Sequence, residues 1–489
     1  MKIAIGYPPL ESEKGIPFLA QNRQFQWGKA KWNAYPIVPA YAATMLRKAG
    51  HEVVWLDGIA EGWSDQRWFS EIEKEKPDLI MMETKTPVVK QHWQIINQLK
   101  IENLKLKIVL VGDHVTALPE ESFKNSKVDY ILTGGDYDFL LLNLVNHLSS
   151  SEKLESGIWF REKIRNTQYV IRNTGKFRLN HDLNTLPFID HELTRWPLYA
   201  YKNSNYSRTP GTYTMFGRDC WWGKCTFCSW TTLYPGEHYR VMSPKRALDE
   251  IGHILSHYPV REVMDDSGTF PTGEWLREFC QGMIKAGYHQ KIKLDCNMRF
   301  NADLNEKDYR LMGKAGFRFL LYGLESANQK TLDRINKSLR VEQIEPTLKM
   351  AKEAGLWPHV TVMVGYPWES KKKVWETLNL TKRLFRKGLI DTLQATVVIP
   401  YPGTPLFNEC QKNGWLKTLD WDHYDMKEPV MKTSMSDEEV MGLVKGIFSS
   451  FWSPEFLFRK VKEALTDGEK FRYYLFFAGR YFGKLLEFK

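Results

Sequence analysis

The sequence predicts an α/β protein in which a doubly wound parallel sheet precedes a partial parallel barrel and a helical C-terminal region. Two series of alternating short apolar runs and helical stretches indicate this fold, and the second series has six strand–helix units. Six units are fewer than a complete parallel barrel contains, so the barrel is predicted to be partial. We expect the sheet domain at 1–150, a linker with a hairpin at 151–205, the barrel at 206–425 and the helical region at 426–489.

The first series predicts a parallel sheet, because short apolar runs alternate with amphipathic stretches. The predicted strands are 2–7, 52–56, 78–82, 107–111 and 130–132. The predicted helices are 38–49, 91–100 and 139–148. Small and polar residues follow every strand, and parallel sheets bind ligands at that edge, which suits a large ligand lying across it. Strand ends are rich in turn residues in any fold, so this pattern alone leaves both interpretations open.

The second series predicts the barrel, and the linker before it contains a hairpin at 158–161 and 169–171. The predicted barrel strands are 213–216, 262–264, 291–296, 317–322, 359–364 and 392–399. The predicted helices between them include 244–256, 273–286, 306–315, 329–335 and 341–354.

Composition excludes several classes of protein. Six cysteines in 489 residues exclude a disulfide scaffold. The net charge of +10 comes without a nucleic-acid-binding motif, so we expect no nucleic-acid partner; an anionic membrane or an acidic substrate is the next interpretation. The N-terminus lacks the pattern of a signal peptide, and no apolar run of about 18 residues exists. We therefore expect a cytoplasmic protein without a membrane-spanning helix.

Three cysteines, Cys220, Cys225 and Cys228, lie within nine residues directly after the first predicted barrel strand. Three thiolates on one loop can hold three irons of a [4Fe–4S] cluster, which leaves the fourth iron open to another ligand. A structural zinc site needs a fourth Cys or His at close spacing, and His238 lies ten residues on in a different turn. The spacing therefore favours an iron–sulfur cluster over zinc.

The cysteine loop resembles that of the radical S-adenosylmethionine (SAM) superfamily, and Phe227 matches the aromatic residue before the last cysteine. The resemblance implies that the three cysteines bind the cluster, that the open iron binds SAM, and that cleavage of SAM yields a radical that abstracts hydrogen from the substrate. Reduced ferredoxin or flavodoxin is the implied electron donor. Four residues separate Cys220 from Cys225, one more than is usual, and Gly223 would let the loop bulge there.

Residues at the predicted strand ends extend this resemblance, because barrel active sites are built there. The implied SAM contacts are Asp265 and Asp266 at the amino group, Arg299 at the carboxylate with Asn297 beside it at the same strand end, Glu325 at the ribose, and Gly365 and Tyr366 at the adenine. Three of these residues also have a purely structural interpretation: Asp265 as a helix cap, Arg299 as a surface charge and Glu325 as an ion-pair partner.

Residues 1–150 resemble the cobalamin-binding domain that precedes many radical SAM barrels. The resemblance rests on residues 38–46, 51–53 and 57–62 and on the later glycine-rich strand ends. The cobalamin contacts that it implies are Thr84, Thr86, Gly112, His114, Gly134 and Gly135. The Asp-x-His-x-x-Gly motif of other cobalamin proteins is absent, since Gly58 and Ile59 follow Asp57. Cobalamin would then bind without a histidine ligand from the protein.

Residues 225–230 and 238–244 are similar to the radical SAM proteins of hopanoid biosynthesis and, more distantly, to the anaerobic magnesium-protoporphyrin ester cyclase. This similarity implies a small hydrophobic or lipid-like substrate and the methylation, cyclisation or rearrangement of an unactivated carbon. Two alternatives stay open. One is a radical SAM enzyme with an empty first domain, and the other is a non-catalytic iron–sulfur or zinc protein.

The last 60 or so residues are predicted to be helical, aromatic and basic. Leu457, Val461, Ala464 and Leu465 recur at helical spacing beside Arg459, Lys460 and Lys462. A second apolar stripe comprises Phe471, Leu475, Ala478, Phe482 and Leu485. Such stripes indicate either helices packed on the barrel or helices lying at the inner face of the membrane.

Overall fold

The computed structural model describes the chain except for residues 11, 20–24, 29–31, 166–167, 204, 237, 467, 469, 472–473 and 476–489. The strands up to residue 173 are β1 (Lys2–Tyr7), β2 (Ile16–Phe18), β3 (Gln26–Gly28), β4 (Glu52–Asp57), β5 (Leu79–Glu83), β6 (Lys107–Val111), β7 (Tyr130–Leu132), β8 (Ile158–Arg165) and β9 (Gln168–Asn173). The helices of this region are α1 (Ile37–Lys48), α2 (Gly58–Glu61), α3 (Asp65–Glu75), α4 (Val89–Glu102), α5 (Asp113–Ala117), α6 (Pro119–Asn125) and α7 (Tyr137–Ser150).

The first sheet has the strand order β4-β1-β5-β6-β7-β8-β9, and its first five strands are parallel as predicted. Successive residues of β1 enter different cores: Ile3 and Ile5 pack with α1 and α7, while Ala4 packs with α3 and α4. Helices therefore cover both faces of the sheet, as apolar runs buried on two sides require. Strands β2 and β3 form a separate antiparallel hairpin.

The hairpin predicted within a linker is part of this sheet. Strand β8 pairs antiparallel with β7, and β9 pairs with β8. The sheet domain therefore extends to about residue 173, beyond the expected boundary at 150. The added strands cover the backbone groups that β7 would otherwise leave unpaired at the edge of the sheet.

The second sheet is the predicted partial barrel. Its region contains β10 (Gly211–Thr214), β11 (Gly217–Arg218), β12 (Arg240–Val241), β13 (Glu262–Asp265), β14 (Lys293–Met298), β15 (Phe317–Glu325), β16 (Trp357–Val364) and β17 (Thr392–Val397). Six of these strands are parallel in the order β10-β13-β14-β15-β16-β17, and each overlaps the strand predicted from the sequence. Strands β11 and β12 form a short antiparallel ribbon beside the barrel.

Helices complete the barrel region and the C-terminal region. They are α8 (Pro197–Ala200), α9 (Trp230–Leu233), α10 (Pro244–His257), α11 (Glu274–Lys285), α12 (Glu306–Lys314), α13 (Gln329–Arg334), α14 (Val341–Glu353), α15 (Lys371–Lys387), α16 (Pro405–Lys412), α17 (Asp437–Phe448) and α18 (Pro454–Thr466). Local sequence explains where several begin: the Ser243 hydroxyl caps α10 before a proline, and Asn305 and Asp308 form a capping box on α12.

A buried ionic cluster lies towards the amino ends of the barrel strands. The Arg318 guanidinium donates to Glu262 through Nε at 2.7 Å and to Asp295 through Nη2 at 2.8 Å. All three side chains are buried. This end of a parallel barrel serves stability, while active sites are built at the opposite end.

Helix α18 packs on the barrel with one face and exposes the other. Phe456 is buried with its ring 5.1 Å from that of Phe385, and Lys460 forms a 2.6 Å ion pair with Asp391. The predicted stripe faces outwards, since Leu457, Val461 and Leu465 are 41%, 58% and 81% exposed. The second stripe is described only at Phe471 and Leu475, which are exposed; Ala478, Phe482 and Leu485 lie outside the described residues. No helix in the described part is long and apolar enough to cross a membrane.

Candidate active site at the barrel mouth

The three cysteines lie in the loop between β11 and β12, over the carboxyl ends of the barrel strands. Cys225 is buried, while Cys220 and Cys228 are half-buried. Backbone hydrogen bonds from Thr226 N to the Ile335 carbonyl, 3.0 Å, and from Leu406 N to the Thr226 carbonyl, 2.9 Å, hold the middle of the loop. The loop is therefore fixed to the segments that follow β15 and β17.

Gly223 lies in the four-residue spacing between the first two cysteines. Its φ angle is +52°, a left-handed conformation that side chains other than glycine rarely adopt. A Cβ atom here would lie 2.1 Å from the Cα atom of Gly236. The extra residue of the loop is thus accommodated where two glycine backbones touch.

Two cations lie beside the buried thiol. Burial raises the pKa of Cys225, and the positive charges of Lys337 and Arg299 oppose that rise. Arg299 Nη1 is 3.7 Å from Cys225 Sγ, and the Thr269 hydroxyl is 3.2 Å from Cys220 Sγ. Thiolates are the form that binds metal, so these neighbours favour metal ligation by the loop.

Within the described residues, no three His, Cys, Asp or Glu side chains converge closely enough to hold a single metal ion. The donor chemistry of the loop nevertheless fits a cluster that is larger than one ion. It offers three thiols on one loop, two of them half-buried, with cations beside the third. Cys220, Cys225 and Cys228 therefore fit a [4Fe–4S] cluster with three protein ligands.

Arg299 lies next to the cysteine loop and is buried, so it is not the surface charge of the structural interpretation. Its Nε donates to Asn301 at 3.0 Å, and Nη2 donates to the Lys337 carbonyl. Its guanidinium carbon is 5.4 Å from the ring centroids of Trp221 and Trp222. The structure thus places Arg299 within reach of a ligand at the cluster, and its contact with SAM stays a prediction.

Glu325 forms an ion pair with Lys337, as the structural interpretation of this residue predicted. Its Oε1 accepts a 2.7 Å hydrogen bond from Lys337 Nζ, and both side chains are buried. Gly323 leaves room for the pair, because a Cβ atom there would lie 2.3 Å from Glu325 Oε1 and 2.5 Å from Lys337 Nζ. Lys337 therefore links Glu325 to the surroundings of Cys225, while the predicted ribose contact is untested.

Asp265 supports a turn and caps no helix, since α11 begins at Glu274. Its carboxylate accepts hydrogen bonds from Phe216 N at 2.8 Å and from Ser267 N at 3.1 Å. Burial raises the pKa of Asp265 to about 6, although these donors oppose the rise. Asn297 Nδ2 donates to the Ser267 carbonyl at 2.9 Å. The two side chains fix the turn after β13 beside the cysteine loop.

Asp266 also lies in this turn and is buried, and its backbone N–H donates to the Thr214 carbonyl at 2.8 Å. Phe227, just before the last cysteine, has its ring 5.8 Å from Lys337 Nζ. Asp266 therefore lies in the turn beside the cysteine loop, and Phe227 is part of the loop itself.

Tyr366 contributes an unpartnered polar atom to the site. The side chain is fully buried, Gly365 before it has a φ of +103°, and the Trp368 ring stacks on it at 5.1 Å. Its hydroxyl has no hydrogen-bond partner among the described residues. Burial, Glu325, Glu369 and Cys225 raise the pKa of this hydroxyl well above its usual range. A buried hydroxyl without a partner is a place for a polar atom of a ligand.

At the edge of the first sheet, the predicted contacts Thr84, Thr86 and His114 are buried. The Thr84 hydroxyl is 3.1 Å from His92 Nδ1, and the Thr86 hydroxyl is 3.2 Å from His114 Nδ1. The His114 ring packs edge-on against Trp421 with a centroid separation of 5.4 Å. These three side chains therefore make contacts within the protein, and their contact with cobalamin stays a prediction.

The three glycines predicted to contact cobalamin lie against protein atoms, and their contact with cobalamin stays a prediction. A Cβ atom at Gly112 would lie 2.2 Å from the Thr84 carbonyl oxygen. At Gly134 it would lie 2.4 Å from the Phe177 ring, and at Gly135 2.0 Å from the Tyr234 ring. Close protein packing therefore requires these glycines, and a bulky substitution there would disturb the protein whether or not a corrin is bound.

Other features of this edge are a small pocket and buried polar atoms without partners. The pocket lies at the ends of β1 and β4 and is lined by Tyr7, Asp57, Tyr199 and residues of the β2–β3 hairpin region. Trp27 of β3 packs near Tyr7, and its buried indole N–H has no partner among the described residues. The buried Thr232 hydroxyl is likewise unpartnered within the described chain.

The sequence did not reveal a charged contact between the two domains. Arg218, two residues before Cys220, bonds to Asp136 and Asp138 at the start of α7. The sequence pattern around Gly134 and Gly135 suggested a ligand contact, and nothing in it pairs Asp138 with an arginine 80 residues away.

Comparisons with known families match each of the two domains to a different family. Residues 214–381 match the radical SAM superfamily, and residues 28–139 match the B12 binding domain. An uncharacterized methyltransferase of Pyrococcus horikoshii is 27% identical over 88% of this chain and 90% of its own length. The anaerobic magnesium-protoporphyrin IX monomethyl ester cyclase of Cereibacter sphaeroides is 24% identical over 86% of this chain and 68% of its own length.

Solved structures share the fold at low sequence identity. The cobalamin-dependent SAM radical enzyme OxsB with aqua-cobalamin bound has a TM-score of 0.70 at 15% identity, covering 99% of this chain and 72% of its own. The radical SAM methyltransferase TsrM from Kitasatospora setae has a TM-score of 0.63 at 14% identity, covering 84% and 78%. The radical SAM domain implies a [4Fe–4S] cluster and SAM, and the B12-binding domain implies cobalamin.

Gly223→Ala is expected to reduce cluster binding, because the new methyl group would collide with the Gly236 backbone and displace the cysteine loop. The measurement is iron and sulfide content after anaerobic reconstitution. Gly287→Ala is the matched control: Gly287 has a φ of +70° in the left-handed region, and nothing lies within 4 Å of the position that its new methyl group would take. Both variants carry backbone strain of about 1–2 kcal/mol, and equal iron content in both would contradict the importance of the glycine contact.

Proposed function

We propose that this cobalamin-dependent radical SAM enzyme cleaves SAM reductively at a [4Fe–4S] cluster on Cys220, Cys225 and Cys228 and modifies an unactivated carbon of a hydrophobic substrate. The observation that carries the proposal is the placement of the cysteine loop, over the strand ends of the barrel and against the B12-binding domain. When bound, the cluster supplies the electron that cleaves SAM, and cobalamin supplies a carrier for a methyl group.

Residues around the loop have distinct roles in this proposal. The positive charges of Arg299 and Lys337 favour the thiolate of Cys225, which a cluster ligand must be. Asp265 and Asn297 hold the turn after β13 beside the loop. The unpartnered hydroxyl of Tyr366 offers a hydrogen bond to a polar atom of SAM.

The names of the relatives support the choice of reaction. One relative is a methyltransferase, and another is a cyclase of a magnesium-protoporphyrin ester, a large and mostly apolar ring. We therefore propose methyl transfer or ring closure on a hydrophobic or lipid-like substrate, with reduced ferredoxin or flavodoxin as the electron donor. These relatives match at both domains, which disfavours a non-catalytic metal protein.

Cys225→Ala is expected to abolish the [4Fe–4S] absorbance and the reductive cleavage of SAM together, because two thiolates leave a second iron without a protein ligand. The measurement is 5′-deoxyadenosine formed after anaerobic reconstitution and reduction. Cys280→Ala is the control, since Cys280 is buried in α11 away from the loop. Full cleavage by Cys225→Ala, with cluster content equal to that of the control, would contradict the assignment.

Trp27→Phe is expected to weaken cobalamin binding about 2–10-fold, the effect of losing one hydrogen bond of about 0.5–1.5 kcal/mol. The proposal assigns the unpartnered indole N–H to an acceptor on cobalamin, so the free protein should lose little stability. The measurement is cobalamin affinity by titration. Trp275→Phe is the control, because the Trp275 indole already donates to the Met242 carbonyl at 2.7 Å. An unchanged affinity in Trp27→Phe would contradict this contact.

We also propose that the exposed face of α18 contacts an anionic membrane. Leu457, Phe458, Val461 and Leu465 form an exposed apolar stripe, Lys462 lies exposed beside it, and the chain has a net charge of +10. Two of the basic residues predicted to flank the stripe turn towards the barrel instead: Arg459 donates to the Phe385 carbonyl, and Lys460 pairs with Asp391. The exposed apolar residues therefore support membrane contact more strongly than the basic residues do.

The double substitution Val461→Asp with Leu465→Asp is expected to abolish flotation with vesicles of phosphatidylcholine and phosphatidylserine, because it places two carboxylates on the face that would enter the membrane. The matched control is Ile101→Asp with Leu104→Asp, which changes two well-exposed apolar residues on the first domain. If the unaltered protein stays at the bottom at low salt, where electrostatic attraction is strongest, the membrane proposal fails.

A further inference from the structure

Two arginines face each other on the ribbon beside the barrel. Arg218 of β11 and Arg240 of β12 are cross-strand partners. Arg218 is fully buried, and Arg240 is half-buried. Like charges directly opposite each other on neighbouring strands destabilise the pairing, so this arrangement requires compensating charge.

The compensating charge comes from the B12-binding domain. Asp138 accepts from Arg218 through both oxygens, at 2.8 and 2.5 Å, in a two-pronged pairing. Asp136 accepts two hydrogen bonds of 2.7 Å from Arg240 and one of 3.2 Å from Arg218. Asp136 occupies the position before α7 where a carboxylate would cap the helix, yet it makes no capping bond. Its carboxylate is directed at the barrel ribbon.

His181 and Glu155 complete the charged set. His181 Nδ1 is 2.8 Å from Asp136, and Nε2 is 3.1 Å from Glu155. Burial lowers the pKa of His181, but the bonds to Asp136 and Glu155 outweigh burial and raise it to about 9. At neutral pH the set therefore contains three positive and three negative groups. A balanced set is what a buried ionic contact between two domains requires.

The N-terminal end of the cysteine loop directly follows Arg218, which belongs to this ionic contact. A single residue, Asp219, separates Arg218 from Cys220, and its carboxylate accepts a 2.5 Å hydrogen bond from Gly268 N. Cys220 Sγ is in turn 3.2 Å from the Thr269 hydroxyl of the same turn. A displacement of Arg218 would therefore act directly on the first cysteine.

The second end of the loop is tied to the same segment of the first domain. Gly135 N donates to the Leu233 carbonyl at 3.1 Å, and the Tyr234 hydroxyl donates to the Gly135 carbonyl at 2.7 Å. Leu233 and Tyr234 follow the third cysteine by five and six residues. Four residues, 135–138, thus hold both ends of the cysteine loop.

We propose that these contacts form an interdomain clamp, comprising Gly135, Asp136, Asp138, Arg218 and Arg240, that fixes the cysteine loop relative to the cobalamin-binding edge. Two residues separate the end of β7 from residues 135–138, and that strand end belongs to the same edge. The inference rests on the proposed function, because it requires a cluster on the loop and cobalamin at the edge. Arg218 and Asp138 are positioning residues: they touch neither cofactor in this proposal, and they set the separation between the two.

A clamp differs from a merely stabilising ion pair because its loss should change the distance between the [4Fe–4S] cluster and cobalamin. The cluster of Arg318, Glu262 and Asp295 is also buried and also pairs an arginine with carboxylates, but it lies towards the amino ends of the barrel strands. Loss of either ionic cluster should lower the melting temperature, because a buried charge loses its partner. Only loss of the clamp should change the geometry between the two cofactors.

The experiment measures the dipolar coupling between the reduced [4Fe–4S] cluster and cob(II)alamin, each with an unpaired electron, by electron paramagnetic resonance of the full chain. Asp138→Asn removes the charge of Asp138 at nearly constant shape, and Arg218→Lys keeps the charge but loses the two-pronged pairing. Both variants should retain iron and cobalt, while the mean distance shifts by about 1 Å or its distribution broadens; a displacement of that size already impairs catalysis. Arg318→Lys is the matched control and should keep the distribution of the unaltered protein.

The outcomes separate this inference from the proposed function. An unaltered protein that takes up no cluster or no cobalamin would overturn the proposed function and the clamp with it. A loaded protein whose distance distribution is the same in Arg218→Lys and in the unaltered chain would overturn the clamp alone. An equal change in Arg318→Lys would also overturn it, because general destabilisation would then explain the effect. If Asp138→Asn does not fold, Arg218→Lys decides.

Discussion

The buried pairing of Arg218 with Asp138 is the constraint on which the arrangement of the two domains depends. A guanidinium without exposure to water is tolerated only where carboxylates match it, and here they come from a different domain. The pairing forces the start of α7 against the ribbon β11–β12, and the cysteine loop follows from that ribbon. The site at the barrel mouth is therefore assembled by contacts from both domains.

Much of the fold could be predicted from the sequence because its strands are parallel and buried on both faces. Such strands appear as continuous apolar runs, and all six barrel strands overlap the predicted ones. The short strands β2, β3, β11 and β12, of two or three residues, were not predicted, since they are too short for a periodic pattern. The β8–β9 hairpin was predicted, but its pairing with β7 was not, because local sequence does not specify the partner of an edge strand.

The candidate site likewise contains residues that the sequence predicted and residues that it missed. Cys220, Cys225 and Cys228 could be predicted as a group because they lie within nine consecutive residues. Gly223, which lets the loop bulge, lies in the same stretch. Lys337 was missed, because it reaches Cys225 only through the chain reversal after α13. The residues assigned to cobalamin illustrate a different limit: Gly112, Gly134 and Gly135 were predicted as cobalamin contacts, but the sequence could not say that they also pack closely against Thr84, Phe177 and Tyr234.

The contact between Gly223 and Gly236 has a consequence for how this loop can change over evolution. Each glycine excludes a side chain on the other, since a Cβ atom at Gly236 would also lie 2.7 Å from Gly223 Cα. Two positions thirteen residues apart are thereby constrained as a pair. In a chain with one residue fewer between the first two cysteines, positions 223 and 236 would both lose the requirement for glycine. The longer spacing and the second glycine should therefore be inherited jointly, and together they would trace a lineage that spacing alone would not separate.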